Sequence, residues 1–157
     1  MDLIEAMKHL PQRIFLLIVG ECYSGSSDIM KAITIEELSG RVRWIDEFVP
    51  DDQVAKYFQA ADVVALPYRH ATQSAVAQIA LAFGKVLVLT DTGGLPELVN
   101  CGSTGFLAEP RSPLSISKAI LSGIELSNDP DLGVRIDEKA AEFSWTAYAE
   151  KLMDRLK

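Results

Sequence analysis

The chain is 157 residues long and sets fifteen Lys and Arg against twenty-two Asp and Glu, a formal charge of −7. That length suits one domain and lets about two-thirds of the unfolded surface be buried, so neither a disulfide nor a metal is required to hold it. With 48% hydrophobic and 24% charged residues the composition is globular rather than disordered, and the acidic balance argues against a binder of nucleic acid or anionic membrane, which needs a basic footprint.

In chain order, Met1–Leu10 reads as a helix closed by Pro11, with Leu3, Ala6, Met7 and Leu10 on one face. A parallel α/β unit ordinarily opens with a strand. None precedes this helix, so the expectation is that one is missing from the chain. Ile14–Val19 is an apolar run of six residues, the pattern of a strand buried on both faces and far short of the ~20 residues that span a bilayer. Weaker strands are expected at Val42–Phe48, Asp62–Leu66, Val86–Leu89 and Gly105–Ala108. Helical patterns fall between and after them at Asp28–Leu38, Asp52–Ala60, Gln73–Phe83 and Leu114–Leu126, with one or two more helices over Gly133–Lys157. Strand and helix alternating in this way predict an α/β fold: a single doubly wound parallel sheet of about five strands with helices on both faces. Cys22 and Cys101 lack CxxC spacing and no cleavable leader opens the sequence, so a reduced, cytoplasmic protein without a structural zinc site is expected.

Ligands of open parallel sheets bind beyond the carboxyl ends of the strands, which directs attention to three loops. Gly20–Ser27 has Gly-x4-Gly spacing, but Ser26 stands where a P-loop needs lysine. It reads either as a polar turn capped by Ser27 or Asp28 or as a loop lining a cleft. The second loop runs from Leu66 to Ser74 into the helix Gln73–Phe83, which is expected to bury Val76, Ile79, Ala80 and Phe83. Thr72 or Ser74 suits the N-cap, and the unpaired amides of the first turn together with Arg69 could hold an anion. The alternative is a capped helix with Arg69 in solvent. His70 has no visible carboxylate or serine partner. The third loop, Asp91–Val99, places Gly93 and Gly94 before Pro96 and Glu97, a concentration of special residues that a plain turn does not need.

Gly84-Lys85-Val86-Leu87-Val88-Leu89-Thr90 leading into DTGGLPELV, followed by Cys101–Leu107, strongly resembles the C-terminal half of family 4 (group 1) glycosyltransferases. LLIVGE, VRWIDEFVPDDQVAKYFQAADVVALPY and Phe143-Ser144-Trp145 with YAEKL extend the resemblance over nearly the whole chain. It implies a GT-B enzyme, in which a Rossmann-like C-terminal domain binds a nucleotide-diphosphate sugar, a substrate rather than a cofactor, across a cleft from an acceptor domain. A retaining hexosyl transfer in polysaccharide, lipopolysaccharide or glycolipid synthesis would follow. On that resemblance Phe48 and Pro50 lie near the base, Arg69, Thr72, Gln73 and Ser74 near the diphosphate, and Gly93, Gly94 and Glu97 toward the sugar; no catalytic residue is assigned and no metal is expected.

Three departures qualify the resemblance. Counting back from Gly84 puts Ile79 and Ala71 where the family carries two glutamates, and Val86 stands where it usually has proline. The family's preceding strand, its Gly-Arg and Lys-Gly cations and its acceptor domain lie outside residues 1–157. The five strands left are expected to close up in the order 2-1-3-4-5. A non-catalytic nucleotide-sugar-binding or interaction module is therefore the competing reading. A receiver domain is disfavoured because Leu66-Pro67 stands where it needs aspartate, and a nucleotide-sugar epimerase shares the architecture.

Overall fold

The computed structural model describes residues 1–35, 38 and 40–155. Seven helices occur among them: α1 (Asp2–Ala6, continued by a 3-10 turn at Met7–His9), α2 (Ser26–Ile33), α3 (Asp51–Ala60), α4 (Ala75–Ala82), α5 (Pro113–Leu126), α6 (Leu132–Ala141) and α7 (Trp145–Arg155). The five expected strands are β1 (Leu16–Val19), β2 (Val42–Ile45), β3 (Val63–Leu66), β4 (Val86–Thr90) and β5 (Gly105–Ala108). Part of the helix expected over Asp28–Leu38, Glu36 and Glu37, lies outside the described residues, as do the last two residues of the C-terminal helical stretch.

All pairings are parallel, as the alternation of strand and helix requires. β1 lies beside β2 with Leu16 opposite Val42, β3 beside β4 with Val63 opposite Val86, and β4 beside β5 with Leu87 opposite Gly105. The expected single sheet, however, is divided into a two-stranded piece, β1-β2, and a three-stranded piece, β3-β4-β5. The expected closing-up of the strands therefore does not occur. β1 and β3 exchange no ladder hydrogen bonds, and each keeps one open edge.

Two apolar layers enclose the strands. On one face Ile4, Ala6, Met7, Leu10, Ile116 and Ile120 form a core against which Leu16, Ile18, Val42, Val63 and Ala65 pack, so both pieces share it. On the other face Ala77, Ala80, Leu81, Leu95, Leu132 and Ile136 pack on Leu87 and Leu89. No residue of β1 or β2 joins that second layer. The helix α3, lying on that side, buries none of its residues, although Phe58 stacks on Phe83 with ring centroids 5.3 Å apart. β4 is buried along all five residues, whereas Leu17 of β1 is 42% exposed and Phe15 is 70% exposed. The expectation that Ile14–Val19 is covered on both faces is corrected: a strand with one open edge and one bare face cannot hide every second side chain.

One residue gathers the segment that follows α1. Arg41, immediately before β2 and buried, donates to the carbonyls of Met7, Leu10 and Pro11 at 3.2, 3.1 and 3.0 Å and to that of Ile14 at 3.3 Å. Carbonyls at the end of a helical turn carry partial negative charge, so they can take a buried guanidinium without a carboxylate partner. The fork of Arg41 thus fixes the whole connection from α1 to β1.

Candidate functional site

The carboxyl ends of β3 and β4 carry the loops that build the candidate site. Leu66 is followed by Pro67 and Tyr68, and the chain bends at Arg69, His70 and Thr72 before α4 begins at Ala75. Ser74 is the N-cap, of the two residues expected: its Oγ accepts from the Ala77 amide at 3.2 Å and lies 3.4 Å from the Tyr68 hydroxyl. The first-turn amides of Ala75 and Val76 have no carbonyl within the helix to bond, which is the general condition of an α-helix start. From the neighbouring strand, the Thr90 hydroxyl donates to the Tyr68 carbonyl. The Gly94 amide donates to the Thr72 carbonyl at 3.1 Å. The loops after β3 and β4 are therefore one hydrogen-bonded unit.

That unit explains the paired glycines. Gly93 has φ +54, and a Cβ on it would stand 1.7 Å from the Ala71 carbonyl oxygen; one on Gly94 would stand 2.5 Å from that of Thr72. Neither space exists. The glycines are required first by the approach of one backbone to the other.

An open cavity of about 740 Å³ lies at this junction, lined by Tyr68, His70, Ala71, Thr72, Gln73, Ser74, Ala75, Val76, Thr92 and Gly93. A smaller one of about 520 Å³ adjoins it, with Met1, Asp2, Pro67, Tyr68, Arg69 and His70 on its walls. Thr72, Gln73, Ser74 and Gly93 are thus brought together with the start of α4. Arg69 sits in the adjoining cavity and is already engaged: its Nε and Nη2 donate to the two Asp2 carboxylate oxygens at 3.0 and 2.6 Å. This hydrogen bond holds the Asp2 carboxyl below the usual carboxylate range, assisted by the charge of Arg69. The open reading of Arg69 as a solvent-facing cation is replaced by a cation paired with α1. His70 borders both cavities and its side chain makes no hydrogen bond among the described residues.

The other expected site residues lie apart from the cavity walls. Gly94 supports the wall from behind through Thr72. Glu97 is exposed on the 3-10 turn Leu95–Leu98, Pro50 is the exposed N-cap of α3, and Phe48 is 73% exposed after β2. The loop Gly20–Ser27 ends in Gly25 at the N-cap of α2, where no side chain caps the helix, rather than Ser27 or Asp28. It is tied to the loop after β2 by the Cys22 amide donating to Asp46 Oδ1 at 2.7 Å.

α4 turns differently from expectation. It buries Ala77, Ala80 and Leu81, which face β4 and α6, and leaves Val76 and Ile79 each 40% exposed. Apolar residues occupy nearly every position of this helix, so amphipathic periodicity could not single out its buried face. Sequence reasoning also missed Asp2. The partner of Arg69 lies 67 residues away in the chain, and no local spacing signals it.

The family model for glycosyl transferases group 1 matches residues 1–125. The chain belongs to that family. The D-inositol 3-phosphate glycosyltransferase of Corynebacterium diphtheriae is 40% identical over 118 residues, covering 73% of this chain and 27% of that protein. Sucrose-phosphate synthase from Thermosynechococcus elongatus superposes with a TM-score of 0.80 at 27% identity, over 99% of this chain and 40% of that one. Anabaena HepE in complex with UDP-glucose superposes with a TM-score of 0.68 at 25% identity, over 90% and 43%. The chain spans about a third of the length of the curated relatives it matches. Among the described residues no helix is long and apolar enough to cross a membrane.

Proposed function

We propose that this chain is the donor half of a hexosyl transferase, binding a nucleotide-diphosphate sugar with its diphosphate at the start of α4. The observation that carries this reading is the cavity at the ends of β3 and β4, whose wall contains Thr72, Gln73, Ser74 and the first amides of α4. Donor amides and hydroxyls converge there, and the positive end of a helix dipole favours an anion. The names of the relatives, an inositol-phosphate glycosyltransferase and a sucrose-phosphate synthase, and the UDP-glucose held by HepE support the same class of ligand. Chemistry in such a site would consist of positioning the sugar and stabilising the departing diphosphate. Arg69 would supply the cation by leaving Asp2. Transfer itself, retaining in stereochemistry, would need an acceptor domain from outside residues 1–157.

A second reading, a nucleotide-sugar-binding module without transfer, draws on Ala71 and Ile79. Ala71 lines the cavity with a methyl group where the family carries a carboxylate, and Ile79 cannot accept a hydrogen bond from a ribose hydroxyl.

The test is calorimetric titration and thermal shift with UDP-, GDP- and ADP-sugars. A donor at a hundred times its Kd stabilises the fold by about 2.7 kcal/mol, a rise of roughly 5–10 °C in Tm. Arg69→Ala should weaken that binding about tenfold or more, as loss of a charge-assisted contact to an anion does. No shift with any of the three donors would overturn the donor-site reading. Many turnovers of sugar transfer by the chain alone would overturn the reading of it as a half.

A further inference from the structure

The wall of the larger cavity holds two hydroxyl groups with more protons than acceptors. The Tyr68 hydroxyl and Ser74 Oγ lie 3.4 Å apart, and both residues line the cavity. Ser74 is 6% exposed, and one lone pair of its Oγ already takes the Ala77 amide at 3.2 Å. Each hydroxyl brings one proton and two lone pairs. The contact between them uses one of the two protons, whichever group donates. The other proton has no acceptor among the described residues. Polar groups held in a protein wall ordinarily find a partner, so a donor left over beside a cavity points to an acceptor that arrives with a ligand.

The Tyr68 side chain is held in place from several sides. Its amide donates to the Leu66 carbonyl at 2.9 Å, and its carbonyl accepts from the hydroxyl of Thr90, which is buried at the end of β4. The residue also packs against the layer that contains Ala77, Leu81 and Leu89. Hydrogen bonds thus run from β4 through Tyr68 and Ser74 to the first turn of α4. Little conformational freedom remains to be lost when the phenol is put to use.

The chemistry of the absent acceptor follows from the directions of these bonds. With Tyr68 as donor, both lone pairs of Ser74 Oγ are taken, and Ser74 can only donate. It does so beside the Ala75 and Val76 amides, which have no carbonyl within the helix, and at the positive end of the α4 dipole. An anionic oxygen suits that point. A hydroxyl that donates to an anion also becomes a better acceptor, so the contact from Tyr68, long for two hydroxyls in the empty cavity, tightens when the oxygen binds.

We propose that Tyr68 is a positioning residue of the anion site: its hydroxyl donates to Ser74 and so turns the Ser74 proton toward a non-bridging oxygen of the bound diphosphate. This role rests on the reading of the cavity as a diphosphate site. Phenylalanine at the same position would fill the same space and leave the Ser74 hydroxyl free to rotate away.

The test is calorimetric titration of the full chain and its variants with inorganic pyrophosphate and with UDP-glucose. Tyr68→Phe should weaken both by about five- to tenfold, the effect of one hydrogen bond, while Tm of the ligand-free chain stays within about 2 °C. Ser74→Ala should lose at least as much. The double variant should lose no more than Ser74→Ala alone, because without Ser74 the phenol has nothing to orient. Ser74→Thr keeps both hydroxyl and cap and should bind within about twofold of the parent. The Cζ carbon resonance of Tyr68, identified by its loss in Tyr68→Phe, should shift when pyrophosphate is added, which a ring that only fills space would not show. Equal affinity in Tyr68→Phe, additive losses in the double variant, or an unmoved Tyr68 resonance would each overturn the proposal and leave the donor-site reading standing. Failure of the parent chain to bind either ligand would overturn both.

Discussion

β4 and β1 have nearly the same amino-acid character and opposite circumstances. β4 runs Val-Leu-Val-Leu-Thr between two hydrogen-bonded neighbours and two helical layers, and all of it is buried. β1 runs Leu-Leu-Ile-Val with one neighbour and one layer, and Leu17 remains 42% exposed. Apolar sequence thus reports what a strand is suited to, and its neighbours decide what it receives. The three-stranded piece, which contains the wholly buried β4, also carries the cavity at the ends of β3 and β4.

The largest expected effect is a direct measure of this contrast. Leu89→Ala in β4 should cost about 2–5 kcal/mol, because a fully buried side chain leaves a cavity behind it. Leu17→Ala in β1 should cost less than about 1 kcal/mol, since much of that side chain is already in water. Denaturant titration of both variants decides the matter, and equal losses would break the comparison. Next in size is Arg41→Met, which strips the α1–β1 connection of its donor at four carbonyls and should cost about 1.5–3 kcal/mol. Lysine there should rescue little of it, because a point charge cannot reproduce the fork. In the packed half, Gly94→Ala should cost about 1–3 kcal/mol by pushing the loop after β4 off Thr72. It should also weaken donor binding, read by titration.

The smallest effect concerns the Asp2–Arg69 pair, with Arg69 about half exposed. Asp2→Asn should leave Tm within about 2 °C, as expected of such surface pairs. It should tighten anion binding several-fold, by releasing Arg69 toward the cavity. The sign of its pH dependence follows from the lowered Asp2 pKa. The stabilisation is fully present above the ordinary aspartate value of about 3.9 and is lost as pH falls below it through the folded-state value. Acid titration of Tm for the parent and Asp2→Asn should therefore converge only at strongly acidic pH.

Much of this fold was legible in the sequence because its local signals agree. Each of the five expected strands exists within a few residues of its expected span, and Gly105–Ala108 matches at both ends. Strand order together with Ser74, Gly93 and Gly94 singles out the loops at the ends of β3 and β4, and the structure has them lining one cavity. What stayed hidden depends on contacts between distant parts of the chain. The division of the sheet between β1 and β3 follows from which strand edges pair, which composition cannot register. The exposed face of α4 follows from where α6 packs. The engagement of Arg69 follows from α1 reaching the end of β3. Glycine showed as special in sequence, but the loop–loop approach that makes it so emerged only from the Ala71 and Thr72 carbonyls.

The bond between the Gly94 amide and the Thr72 carbonyl bears on how this cavity could be redesigned. A wall made of two backbones in contact offers few places where a new side chain fits. Gly93 and Gly94 are closed to any larger residue, and Ser74 is occupied with capping α4. His70, Thr72, Gln73 and Thr92 remain, each on the wall with a side chain that makes no hydrogen bond among the described residues. A library aimed at changing what the cavity accepts should concentrate its diversity at those four positions and leave the glycine pair untouched.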